Sequence, residues 1–161
     1  MRAVRRCEIH APPALVWEWI GDPGRYLHFM SGITRWEVVS ERPTGLGARY
    51  RTLMRVRSAE VGGLVEVVEW RRPTDLAWTS VTGVDQRGRW RVRERGRART
   101  EVELRLSGGV AGSGVLGWLA ERIAQPTVED HLERSLQQLK RQVEHEQLRS
   151  RAAARRRARA A

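Results

Sequence analysis

The sequence predicts an α+β fold in which an antiparallel sheet of seven strands packs against one long C-terminal helix. Segments with the two-residue period of strands follow one another from residue 34 to residue 107, with turn residues between them. An apolar stripe with helical spacing then extends over residues 116–143. At 161 residues, 40% hydrophobic and 30% charged, the chain has the size and composition of one globular domain rather than a disordered segment.

The elements before the strand-rich region are one strand and two short helices. Polar and apolar residues alternate over residues 2–10, and the proline pair that follows ends this first strand. Proline suits the first turn of a helix, and the apolar spacing over residues 15–20 predicts a short helix that stops at Gly21. A second short helix is predicted at residues 23–30, where Tyr26, Leu27, Phe29 and Met30 provide an apolar face.

The six strands predicted next form an antiparallel meander, because they succeed one another without a helix between them. In the clearest of them, Tyr50, Thr52, Met54 and Val56 alternate with arginines, so one face is buried and the other is charged. The segments around Trp90 and Leu104 repeat this pattern. The predicted strands span residues 34–41, 47–58, 61–71, 75–82, 87–95 and 98–107.

The C-terminal part of the chain divides into a helix and an arginine-rich tail. Pro126 lies inside the predicted helix and is expected to bend it rather than end it, because the apolar stripe resumes at Val128. Residues 149–161 have no apolar stripe and no acid, and we expect them to form a disordered tail after a domain at residues 1–148. The net charge of +11 includes six arginines of this tail, which leaves +5 on the domain.

Four sequence strings in this order and spacing resemble the START-like or SRPBCC superfamily, also described as polyketide cyclase/dehydrase and lipid transport proteins. The resemblance covers about residues 2–146 and implies a helix-grip fold, in which the curved sheet closes around the C-terminal helix and keeps a hydrophobic cavity. Its members include lipid carriers, ligand sensors and aromatase/cyclases, so it implies no single reaction. The strings are IHAPPALVWEWIGDPGRYLHFM, GLGARY, VEVVEWRRPTDLAW and GRWRVRERGRARTEVELRL.

A cavity in this arrangement would have mostly apolar walls. Seven tryptophans in the chain suit a flat hydrophobic ligand such as a lipid, quinone or polyketide, although the same side chains could simply fill a core. The primary hypothesis is therefore a protein that binds a hydrophobic small molecule. The expected ligand-binding residues are Phe29, Met30, Tyr50, Thr52, Met54, Trp78, Trp90, Val92, Leu116, Leu119 and Ile123.

The first alternative is an enzyme of the aromatase/cyclase or dehydratase type that uses the same cavity. Such an enzyme needs a positioned acid or base, for which Tyr50, His28 and Glu69 are the available residues. The simpler interpretation places His28 on an exposed helix at the cavity mouth and Glu69 in a salt bridge with Arg71 or Arg72. The sequence favours a binding protein without catalysis.

The second alternative is an interaction protein that uses the basic outer strands and the tail. The arginines would attract an anionic membrane or nucleic acid, although no aromatic residue among them could stack on bases, and a solubilising tail is the simpler interpretation. No stable protein partner is inferred. The absence of a signal-peptide pattern and of a long apolar run leads us to expect a cytoplasmic location.

The sequence does not predict a metal site, a cofactor or a disulfide. The four histidines have no ligand-like spacing, and Cys7 is the only cysteine, which we expect to be a buried strand thiol. The glycine-rich segments lack the lysine and helix context of phosphate-binding loops, so they are interpreted as turns.

Overall fold

A computed structural model of the chain describes the backbone of residues 1–109 and 115–161 and the side chains of residues 1–109 and 124–161. The α+β prediction and the element order are confirmed. The helices are α1 (Pro13–Ile20), α2 (Tyr26–Phe29), which directly follows a 3-10 turn at Pro23–Arg25, and α3 (Val115–Ala160). The strands are β1 (Arg2–Ile9), β2 (Ile33–Val38), β3 (Arg49–Val56), β4 (Ala59–Arg71), β5 (Asp75–Gly83), β6 (Asp85–Gly96) and β7 (Arg99–Gly109).

The seven strands form one antiparallel sheet in the order β1-β7-β6-β5-β4-β3-β2. Strands β2 to β7 make the predicted meander, and β1 joins the sheet beside β7, with Ile9 opposite Thr100. The sheet curls into a half-barrel, and the middle of β4 shows how closely the strands approach. A Cβ atom on Gly63 would lie 2.1 Å from the Thr82 carbonyl oxygen of β5, so only glycine allows this approach.

The core lies between the concave face of the sheet and helix α3. The part of the predicted apolar stripe from Val128 onward is buried there, whereas Leu116, Leu119 and Ile123 lie outside the side chains that the structure describes. Burial of this stripe rather than intrinsic helix propensity holds the helix on the sheet. The fully buried positions are Val128, Leu132, Leu136, Leu139 and Val143.

Polar contacts fix α3 to the edge strand β1. The ammonium group of Lys140 donates to the Glu8 carbonyl oxygen at 2.6 Å, and Arg5 donates to Glu129 at 2.8 Å. The edge strand is thereby covered by a helix, which protects its free backbone edge.

Residues 149–160 continue α3, whereas the sequence predicts a disordered tail. All of these residues are exposed. Alanine and arginine are among the strongest helix formers, and no glycine or proline interrupts the segment, so the helix continues without an apolar face to dock. Pro126 lies inside α3, and the bend expected there stays a prediction.

The convex face of the sheet carries two buried carboxylates that arginines surround. Asp75 accepts hydrogen bonds from Arg93 at 3.0 Å and from Arg89 at 3.2 Å. Glu103 accepts from Arg6 at 2.6 Å and from Arg105 at 3.0 Å. Burial alone would raise the pKa of both carboxyl groups, but the arginine hydrogen bonds and charges lower it below the ordinary range. These groups hold neighbouring strands together on the wet side of the sheet.

Candidate functional site

A cavity of about 130 Å³ lies on the concave face between the sheet and helix α3. Its walls come from β3, β4, β6, β7 and the described part of α3, and most of the side chains are apolar. Asp85, Gln86 and Ser107 supply polar groups where β6 meets β7. The apolar wall residues include Met54, Val56, Val61, Leu106, Ala124 and Val128.

Two smaller spaces continue this cavity along the concave face toward α1 and α2. The first, of about 20 Å³, shares Met54 and Gln86 with the outer cavity and is closed by Trp36 and Trp78. The second, of about 10 Å³, lies on the same two tryptophans and reaches Tyr50. Shared wall residues therefore place the three spaces in a row.

An aromatic cluster forms the inner end of this row. Trp36 stacks on Tyr26 with ring centroids 4.2 Å apart and meets Trp78 edge-on at 5.7 Å. Gly88 makes room for Trp78, because a Cβ atom at that position would lie 1.9 Å from the indole ring. The rings are therefore held by close packing rather than by solvent-exposed contacts.

The polar groups at the inner wall differ in their hydrogen bonding. Thr52 donates to the Gly63 carbonyl oxygen at 3.4 Å and accepts from the Gln86 amide at 3.2 Å. Tyr50 donates its hydroxyl to the Pro43 carbonyl oxygen at 3.0 Å. In contrast, the indole nitrogens of Trp36 and Trp78 are buried and have no partner among the residues that the structure describes.

Five of the predicted ligand-binding residues line the cavities, namely Met30, Tyr50, Thr52, Met54 and Trp78. Phe29, Trp90 and Val92 are buried in the adjoining core and line none of the three spaces, and Leu116, Leu119 and Ile123 lie outside the described side chains. That any of these residues contacts a ligand stays a prediction.

The structure adds Trp36 and Gln86 to the cavity wall, and neither is among the ligand-binding residues expected from the sequence. Gln86 precedes the predicted start of its strand by one residue. Extending the alternation backwards from Trp90 through Gly88 would have placed Gln86 on the same face.

Of the three candidate acid–base residues, only Tyr50 reaches the cavity wall. Burial, reinforced by the negative charge of Asp22, raises the pKa of Tyr50 to about 12, so its hydroxyl stays protonated at neutral pH. His28 is exposed on α2. Glu69 pairs with Arg89 at 2.9 Å and with Arg71 at 3.6 Å, on the convex side of the sheet.

Within residues 1–109 and the described part of α3, no three histidine, cysteine or carboxylate side chains cluster in a way that could hold a metal ion. Among the described helices, none has both the length and the apolar character needed to cross a bilayer.

Solved structures share this fold over most of their length. TTHA0849 from Thermus thermophilus has a TM-score of 0.76 at 23% identity, covering 89% of this chain and 97% of its own. The Zhui aromatase/cyclase from Streptomyces sp. R1128 has a TM-score of 0.75 at 19% identity, covering 89% and 93%. A START superfamily protein from Mycobacterium smegmatis has a TM-score of 0.67 at 14% identity, covering 89% and 97%.

These likenesses confirm the predicted helix-grip fold. No curated protein matches the sequence at a significant level. The sequence pattern of the family described as polyketide cyclase / dehydrase and lipid transport matches residues 1–144, which is most of the chain. The chain therefore belongs to the polyketide cyclase / dehydrase and lipid transport family.

Proposed function

We propose that this protein binds a hydrophobic small molecule in the cavity between the sheet and α3. The observation that carries this proposal is the row of three spaces with mostly apolar walls on the concave face. Apolar protein cavities of about 150 Å³ bind benzene, so the outer space of about 130 Å³ suits one ring or a short stretch of acyl chain.

The burial energy of such a ligand sets its expected affinity. One aromatic ring buries roughly 150–250 Å², which corresponds to about 4–6 kcal/mol at 25 cal/mol per Å² of apolar surface. Loss of translational and rotational freedom offsets much of this gain. A one-ring fragment is therefore expected to bind weakly, and a tight natural ligand needs further apolar area or a polar contact.

The test is to enlarge a residue that lines both the outer cavity and the adjoining space of about 20 Å³, so that its side chain fills them. Met54→Trp adds an indole at this point, and we expect it to lower the affinity for toluene, a one-ring probe, about ten-fold or more in titration calorimetry. Leu53→Trp is the matched control, because Leu53 directly precedes Met54 in β3 and lines none of the three spaces. Equal affinity in wild type and Met54→Trp would contradict the proposal.

Native mass spectrometry would test the same proposal without a chosen probe. The protein purified from its own host is expected to carry a co-purifying hydrophobe whose mass is absent from the Met54→Trp variant. If the wild-type protein carries no co-purifying molecule and does not bind toluene, ligand binding in this cavity is contradicted.

A polyketide cyclase or dehydratase is the second candidate, because the Zhui aromatase/cyclase shares the fold. At neutral pH, Tyr50 would act as a hydrogen-bond donor or acid rather than as a base, since burial keeps its hydroxyl protonated. Tyr50→Phe would then abolish turnover of a poly-β-ketone thioester while the variant still binds toluene. Turnover by wild type at the rate in buffer alone would exclude this candidate.

The helical extension at residues 149–160 supports a separate, weaker contact with an anionic surface. The segment carries six arginines and no acid, and all of its residues are exposed. Such a contact would weaken as salt rises, and deletion of residues 149–161 would remove it. Binding to anionic vesicles and to duplex nucleic acid at 50 and 300 mM salt tests this contact, and salt-independent binding would contradict it.

A further inference from the structure

We infer that Trp36 and Trp78 recognise a hydrogen-bond acceptor oxygen on the ligand, such as the carbonyl of a ketone or quinone, through their indole N–H groups. This inference rests on the proposed function and names the chemical group that the inner end of the cavity selects. Both indole side chains line both inner spaces there.

Both indole donors are buried. Trp36 is 9% exposed and Trp78 is 3% exposed, and both indole nitrogens lack partners among the described residues. An indole N–H can only donate, and a buried tryptophan usually finds an acceptor. The unused hydrogen-bonding capacity of this pair therefore calls for an acceptor and cannot serve a donor.

The neighbouring hydroxyl groups do not supply that acceptor. Thr52 is engaged with Gly63 and Gln86, and Tyr50 is engaged with Pro43. Both hydroxyls therefore already have partners on the protein, whereas the indoles have none among the described residues. A ligand oxygen would bond to the indoles without displacing an existing hydrogen bond.

The sizes of the spaces indicate how a ligand would divide between them. The two inner spaces, about 20 and 10 Å³, hold a group no larger than a single oxygen or methylene, and both indoles line both of them. The outer space of about 130 Å³ takes the attached ring or chain. The arrangement fits an apolar body that carries a carbonyl at one end.

Packing holds the donors in place before a ligand arrives. Trp36 is stacked on Tyr26, and Trp78 lies against Gly88, so neither ring has to be ordered on binding. Pre-organised donors favour a ligand that completes their hydrogen bonds and disfavour an otherwise identical ligand that leaves them unpaired.

Acetophenone and α-methylstyrene are suitable probes because they have the same shape and differ only in a C=O or C=CH2 group. Binding to the wild-type protein is measured by titration calorimetry and by the indole ¹H–¹⁵N spectrum. We expect acetophenone to shift the indole N–H signals of Trp36 and Trp78 downfield, and α-methylstyrene to leave them without a hydrogen-bond shift. The other five tryptophans of the chain serve as internal references.

The variants Trp36→Phe and Trp78→Phe remove one donor each and also identify its signal. Each is expected to lower the ratio of acetophenone to α-methylstyrene affinity about five-fold, which is the size of one neutral hydrogen bond. Trp70→Phe is the control, because Trp70 packs on Trp17 and lines none of the three spaces.

The two proposals fail in different ways. If both probes bind but the affinity ratio and the indole shifts are the same for the two, the acceptor inference is overturned and the binding cavity stands. If neither probe binds the wild-type protein, both the cavity function and the inference are overturned. The spectrum of the wild-type protein decides the question even where a variant does not fold.

Discussion

Buried polar groups on the two faces of the sheet differ in how they are hydrogen-bonded. On the convex face, Asp75 and Glu103 are each bonded by two arginines. Arg89 and Arg105 each leave one Nε unbonded, but their terminal nitrogens bond carboxylates. On the concave face, the buried indole donors of Trp36, Trp78 and Trp90 have no partner among the described residues, and the first two of these side chains line the inner spaces. The convex carboxylates are thus fully paired by arginines, whereas the concave wall retains capacity for a ligand.

The largest effect is expected from breaking the convex network at its most connected carboxylate. Asp75→Ala would leave Arg89 and Arg93 facing each other across the face without their shared partner. Removing one member of a buried ion pair typically costs 3–5 kcal/mol, and because these arginines are partly exposed we expect about 2–3 kcal/mol of unfolding free energy. Urea denaturation measures this loss.

The control for that experiment is an exposed ion pair on the same face. Glu101→Ala removes the partner of Arg95, whose side chain is 54% exposed, and should change the unfolding free energy by less than about 0.5 kcal/mol. Equal losses of unfolding free energy in the two variants would show that the buried Asp75 network contributes no more to stability than an exposed ion pair.

A smaller effect is expected from crowding the concave face at Gly88. Gly88→Ala places a methyl group 1.9 Å from the original position of the Trp78 ring, so the indole must shift. Such overpacking typically costs about 1–3 kcal/mol. Urea denaturation measures the cost in unfolding free energy, and the affinity for toluene should fall with it. Full stability with unchanged affinity would show that Trp78 has room to shift.

The convex network also predicts how stability depends on acid. Burial opposes ionisation of Asp75 and Glu103, but the arginine hydrogen bonds outweigh it and hold both pKa values below those of the unfolded chain. Their contribution is therefore complete above about pH 5 and is lost as the pH falls through and below 4. We expect the unfolding free energy from urea titrations to drop between pH 5 and 3. Asp75→Asn should reduce this pH dependence of the unfolding free energy, and an unchanged pH dependence would contradict the role assigned to Asp75.

Much of the fold could be predicted from alternation and spacing, because a half-buried strand shows its two faces in the sequence. The convex arginines and the buried partners Tyr50 and Thr52 are an example. The cavity wall was harder to predict, because it depends on how far α3 lies from each strand. Trp36 and Trp78 are both simply aromatic in the sequence, and only the packing reveals that their donors lack partners among the described residues.

The prediction for the arginine-rich segment failed for a different physical reason. Its lack of an apolar stripe predicted disorder, since most helices in proteins depend on burial of one face. In the structure the segment continues a helix that is already nucleated and anchored by Leu139 and Val143. Nucleation is the costly step of helix formation, so residues of high propensity can extend an existing helix into solvent.

The smallest effect concerns the concave face at high pH. The two tyrosines of the chain, Tyr26 and Tyr50, both lie on the concave side, and burial raises the pKa of each. Because the neutral form is favoured in the folded state, their contribution to stability is complete below about pH 10 and is lost as the pH rises toward 12.

The phenolate absorbance at 295 nm should therefore remain low at pH 10.5 while circular dichroism shows a folded chain, and it should rise together with unfolding. Tyr50→Phe is expected to remove about half of the amplitude. A phenolate signal that titrates near pH 10 in the folded protein would mean that water reaches the inner cavity wall freely, and the concave face would then offer no apolar interior to a ligand.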